Sequence, residues 1–233
     1  MKTSLSHNNK VSKILSLETY IFIVFCIASL FIFYISLNFI VLSLEWNLFL
    51  SMIPFILSNF FDKSHKYMRW LLLLLWILFI PNAFYMMTDL IHIQSLNIII
   101  NPTPYSQYYS TDVILWILML YIISISIFGV YLGLKSVDEF LNMIGEKLRL
   151  ISLLILSMMI GVGMTIGRFL RLNSWNAFNP IELLTTIFNG FDIVMIRLSI
   201  LFSIVVFILI FMYSYKRLIK KEVKEHEKNS NMR

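Results

Sequence analysis

Between Tyr20 and Phe61 the chain carries a single charged residue, Glu45. A helix crosses the hydrocarbon of a bilayer with about 20 mostly apolar residues. A run about twice that long must therefore cross twice and turn sharply between, and a tight hairpin is expected near Asn38 to Trp46. The rest of the sequence agrees with a lipid solvent. Of 233 residues, 59% are hydrophobic and 14% charged, and the mean hydropathy is +0.81, values too apolar for a soluble domain of this length.

Six apolar segments can be marked, at 16–37, 42–61, 70–92, 112–134, 150–171 and 193–214. They predict an all-α polytopic membrane bundle of about six transmembrane helices over 16–214, preceded by a short segment (1–15) and followed by a basic tail (215–233). The first run is too long for a signal peptide and lacks a small-residue cleavage site, so it is expected to stay as an uncleaved first span. Basic residues in short loops remain cytoplasmic. Sixteen of the nineteen fall in alternating groups: Lys2, Lys10 and Lys13; Lys63, Lys66 and Arg69; Lys135, Lys147 and Arg149; and seven in the tail. Both termini are thereby expected in the cytoplasm. The net charge of +6 follows from this topology, and its dispersal over helix flanks argues against nucleic acid as a partner. The lone cysteine, Cys26, excludes a disulfide framework and reads as packing.

The three basic residues outside the cytoplasmic set are Arg168, Arg171 and Arg197. Arg168 and Arg171 stand in "GRFLRLNSWN", after a Gly163-xxx-Gly167 spacing that lets another helix approach closely. At i, i+3 they are expected on one side of a helix, where guanidinium forks suit a phosphate or carboxylate. Internal pairing with Asp89, Asp112 or Asp192 is the competing reading. In "PNAFYMMTDLIH", Pro81 is expected to kink the third span. If helix resumes after it, Asn82, Tyr85, Asp89 and His92 form a polar stripe. Asp89 and His92 are placed for acid/base work or for bonding to neighbouring helix ends; two such ligands do not make a metal site, and no metal-binding motif occurs. Glu45, Trp46 and Asn47 are read as the first exofacial turn, with Trp46 an interface anchor.

Of the remaining loops, 93–111 is expected at the membrane surface, with Pro102 and Pro104 opposing regular structure and Tyr105, Tyr108 and Tyr109 suiting the interface. Within 172–192 a short interfacial helix is expected. Asn179 would be its N-cap, Pro180 its first residue and Gly190 its stop.

Together, "EWNLFLSMIPFIL", "PNAFYMMTDLIH", Asp112 and "GRFLRLNSWN" resemble the DUF1361 family of bacterial integral membrane proteins, over about 46–192. The resemblance implies a multi-pass protein of the bacterial cytoplasmic membrane and supplies no mechanism. It marks Trp46, Asn47, Pro81, Asn82, Tyr85, Asp89, His92, Asp112, Gly167, Arg168, Arg171, Asn173, Ser174 and Trp175 as family positions. Phe84 and Asn176 depart from the family's usual proline and aspartate.

The expected site is exofacial and polar. Arg168 and Arg171 would hold an anionic lipid head group or phosphate, with Asn47, Asn82, Tyr85, Asp112, Asn173 and Trp175 around it. Asp89 and His92 would orient that group or act on it, as in an enzyme of envelope lipids or glycans. The alternatives are an accessory or assembly subunit, in which the motifs are struts, and a small-solute transporter. The sequence names no cofactor and, beyond membrane lipids, no protein partner.

Overall fold

The structure is a computed structural model. It describes the backbone of residues 3–61, 64–100, 108–172, 174, 176 and 179–230, and side chains between residues 17 and 215 of that set. In chain order the elements are α1 (Thr3–Ser36), α2 (Ile40–Ser58), α3 (Lys66–Tyr85), a 3-10 helix (Met86–Leu96), β1 (Ile99–Ile100), β2 (Tyr108–Tyr109), α4 (Val113–Ile144), α5 (Glu146–Phe169), α6 (Pro180–Gly190) and α7 (Ile193–Ser230). Among the described residues, six helical stretches are long and apolar enough to cross a membrane: Leu17–Ser36, Ile40–Ser58, Lys66–Leu96, Val113–Ile144, Glu146–Phe169 and Ile193–Tyr215. The expected multi-span membrane fold is thus observed.

The predicted hairpin after the first span is present, but earlier and tighter than expected. Leu37 adopts a left-handed φ of 50°, and its N–H donates to Phe33 O at 2.8 Å, closing α1. Asn38 Oδ1 then accepts from Ile40 N at 3.0 Å, an Asx cap that starts α2 at once. Glu45, Trp46 and Asn47 consequently lie inside α2 and not in the turn, which corrects the sequence reading.

The chain divides into two compact units. The first comprises Met1–Trp46 and Asp89–Ile125, the second Asn47–Thr88 and Ser126–Arg233. In the first unit β1 and β2 pair antiparallel, Ile99 with Tyr109 and Ile100 with Tyr108. This short ladder flanks the expected surface loop, whose residues Pro102, Pro104 and Tyr105 lie outside the described set. Asp112 caps α4, its Oδ1 accepting from Ile114 N at 2.9 Å.

The second unit is organised around α3. Trp76, Ile80, Ala83 and Phe84 are fully buried against Phe61, Val137, Leu141, Leu153, Leu156, Ile160 and Met164. Lipid tails are as apolar as these side chains, so close packing and buried hydrogen bonds hold such helices together more than hydrophobic transfer does. Both devices are visible. A Cβ on Gly163 would fall 2.6 Å from Pro81 Cγ, and one on Gly133 would fall 2.9 Å from Ala83 Cβ. The C-terminal part of α3 is therefore approached by glycine faces of α5 and α4. Gly161 does the same for α7, where a Cβ would meet backbone atoms of Ser203 and Ser199 at 2.6 and 2.7 Å. Trp76 Nε1 donates to Ser136 Oγ at 2.6 Å. Ser136 in turn donates to Pro54 O at 2.8 Å, joining α3, α4 and α2 through buried atoms.

The short helix expected within 172–192 is α6, spanning Pro180–Gly190 with no buried residue. Asn179 stands at the N-cap but its side chain does not cap; Nδ2 donates instead to Glu182 Oε2 at 2.8 Å.

Candidate functional site

The two sequence motifs of the second unit meet at the C-terminal ends of α3 and α5. Asn82 Nδ2 donates to Ser174 Oγ at 2.9 Å, and Ser174 donates onward to Leu78 O at 3.0 Å. The residues after α5 are thereby fastened along α3 on either side of Pro81. Proline has no N–H to give, and the chain around it gains these side-chain bonds instead.

Arg168, in the last turn of α5, lies with its guanidinium carbon 4.2 Å from the Tyr85 ring centroid. Its Nε and Nη2 donate to Thr88 Oγ1 at 3.0 and 2.6 Å. Thr88 spends its one hydrogen on Tyr85 O at 2.6 Å, so both lone pairs of its hydroxyl remain for the arginine. A planar, delocalised cation is suited to lying over an aromatic face while donating from its edge. The Tyr85 ring also packs on Gly167, where a Cβ would meet it at 3.5 Å, an ordinary contact distance.

Arg171 behaves differently. The α-helix ends at Phe169, Leu170 N donates to Ile166 O, and Arg171 has a left-handed φ of 55°. The expectation that both arginines project from one side of a helix is corrected: helical spacing does not extend past that end. Arg171 is exposed, whereas Arg168 is half-buried.

Beside this clamp lies an open cavity of about 520 Å³ between α2, α3 and α5. Its wall is mainly apolar, from Leu50, Ile77, Met158, Met159 and Val162, with Asn47, Asn82, Tyr85 and Ser174 supplying polar atoms. From Met158 to Gly167 the wall follows α5 for about 14 Å at 1.5 Å per residue.

Asp89 and His92 belong to the first unit. Asp89 is buried, and its Oδ1 lies 3.9 Å from His92 Nε2, beyond hydrogen-bond reach. Asp112 and Asp192 are exposed helix caps, Asp192 Oδ1 accepting from Met195 N at 2.9 Å. Asn173 and Trp175 lie outside the described residues. Among the described residues no group of three His, Cys, Asp or Glu side chains is placed to hold a metal ion. Thr88 escaped the sequence reading, although its position three residues after Tyr85 was the available signal.

Residues 46–212 match the family model described as a protein of unknown function, DUF1361. The chain belongs to the DUF1361 family. No curated protein and no solved structure matches it. The match begins at Trp46 and takes in every residue of the clamp and the cavity, so this DUF1361 chain carries its groove within the family-defining region.

Proposed function

We propose that this membrane protein binds a lipid in the groove between α2, α3 and α5. The hydrocarbon lies along Ile77, Met158, Met159 and Val162, and the polar group meets Asn47, Asn82 and Ser174. The carrying observation is the cavity's amphipathic wall, apolar along α5 and polar where the two motifs meet. By the distribution of basic residues that polar end is exofacial. Arg171, exposed and adjacent in sequence to the lining residue Leu172, supplies a cation for an anionic head group. The proposal assigns binding to this groove and no bond-breaking step.

Native mass spectrometry of the protein released from membranes tests this reading. Val162→Trp fills the groove from a partly lipid-facing position and is expected to strip bound lipid while leaving the fold intact. Arg171→Ala is expected to lose anionic lipids selectively. Unchanged lipid stoichiometry in a folded Val162→Trp protein would overturn the proposal.

The accessory-subunit reading is favoured by a separate observation: the motif side chains are bonded internally, Asn82 to Ser174 and Arg168 to Thr88. Under that reading Asn82→Ala lowers thermal stability and leaves the lipid complement of the purified protein unchanged.

A further inference from the structure

The first unit contains a polar cluster within the spans. Glu45 of α2 is met by Cys26 and Ser29 of α1 and by Tyr121 of α4. Cys26 Sγ donates to Glu45 Oε1 at 3.0 Å. Ser29 Oγ lies 2.5 Å from Glu45 Oε2, 2.6 Å from Tyr121 OH and 2.7 Å from Phe25 O. Tyr121 OH also lies 3.4 Å from Glu45 Oε2. Ser29 and Tyr121 are buried. Counted from the nearer helix end at 1.5 Å per residue, Glu45, Ser29 and Tyr121 lie roughly 8, 10 and 12 Å inside their helices. Cys26, read from sequence as packing, is a member of this cluster.

The number of hydrogens decides what the cluster holds. A serine hydroxyl has one hydrogen and two lone pairs. The Phe25 carbonyl can only accept, so that contact takes the Ser29 hydrogen. The contact with Glu45 Oε2 then needs a hydrogen from the carboxyl, and the contact with Tyr121 takes one from the phenol. With Glu45 protonated, three hydrogens serve the three short contacts of Ser29. With Glu45 ionised, two hydrogens must serve three, and one short oxygen pair has none. The charge inventory agrees: among the described residues no Lys, Arg or His pairs with Glu45, and the titratable groups that touch it, Cys26 and Tyr121, are both donors. An ionised carboxylate within a span ordinarily has a partner.

We propose that Glu45 is a proton-binding site within the membrane, its exchangeable proton held against Ser29 and Tyr121. Such a carboxyl is the element a proton-coupled step requires, and it is independent of the lipid groove. Infrared difference spectroscopy of the full chain in lipid nanodiscs, wild type minus E45Q, tests it directly. The expected result is a carboxylic-acid carbonyl band at neutral pH that shifts in heavy water, is lost as pH is raised and moves in Tyr121→Phe. A hydrophobic carbodiimide should label Glu45 at neutral pH, with labelling lost at high pH and indifferent to sodium. Absence of an E45Q-sensitive band at neutral pH overturns the proposal, as does protection from the carbodiimide by sodium at constant pH, which would make a metal cation the occupant. Should E45Q fail to accumulate, Ser29→Ala and Tyr121→Phe give the same reading, and a carbonyl band unmoved in both also overturns it.

Discussion

Arg168 and Glu45 are both ionisable side chains within membrane-spanning helices, and their surroundings differ in kind. The arginine, at the end of α5, is stacked on Tyr85 and donates twice to a hydroxyl whose own hydrogen is already committed to a carbonyl. Its region is also the one where glycines bring helix backbones close to Pro81 and Ala83. Among the described residues, the carboxyl of Glu45 is bonded by hydroxyl and thiol groups. A polar residue in a span is thus defined by its partners' donor and acceptor inventory more than by its own charge. Arg168 reads as a strut beside a groove, and Glu45 as a group that exchanges with something small.

Four substitutions distinguish the two surroundings. The largest effect is expected from Gly161→Val, which drives a branched side chain into the Ser199 and Ser203 backbone. Backbone cannot step aside as a flexible side chain can, so a loss of about 3 kcal/mol is expected, read as failure of monodisperse protein to accumulate. Next comes Arg168→Ala. Losing two charge-assisted bonds and a cation–π contact is expected to cost about 2–3 kcal/mol in unfolding measured in mixed micelles. Arg168→Lys should recover little of it, since a point charge cannot stack and fork together; full recovery would reduce the clamp to net charge.

Tyr121→Phe is expected to change unfolding stability by less than about 1 kcal/mol, in keeping with interhelical bonds in bilayers. A loss as large as that of Arg168→Ala would make the Glu45 cluster a strut as well. Smallest is Arg171→Gly. A left-handed residue costs roughly 1–2 kcal/mol when it carries a Cβ, against the chain entropy that glycine adds to the unfolded state. The expected melting temperature is equal to wild type or slightly higher, and a marked drop would show that the Arg171 side chain holds the fold.

Much of the fold could be read from hydropathy and charge because a bilayer enforces both so strongly. Asn179, Pro180 and Gly190 marked α6 for local reasons, a proline tolerated at a helix start and a glycine at its end. The misses came where a short-range device overrode a smooth pattern. Asn38 starts α2 at Ile40 with its own side chain, so hydropathy alone put Glu45 in a turn. A left-handed residue ends the α5 repeat, so spacing alone paired Arg171 with Arg168. The Glu45 cluster draws on three helices and has no sequence spacing by which to be found. Of the candidate site, the motifs "PNAFY" and "GRFLRLNS" are visible in the sequence one at a time. That they bind each other through Asn82–Ser174 and Arg168–Thr88 depends on tertiary contact.

The winding of Met86–Leu96 has a geometric result for Asp89 and His92. In a 3-10 helix every third side chain returns to the same angle, about 6 Å further along the axis. Asp89, His92 and Ser95 are accordingly stacked in one column. Rewound as an α-helix, the same residues would step about 60° apart at each interval. The pitch of this one segment acts as a dial, setting whether a buried carboxyl and an imidazole look toward one another or past one another.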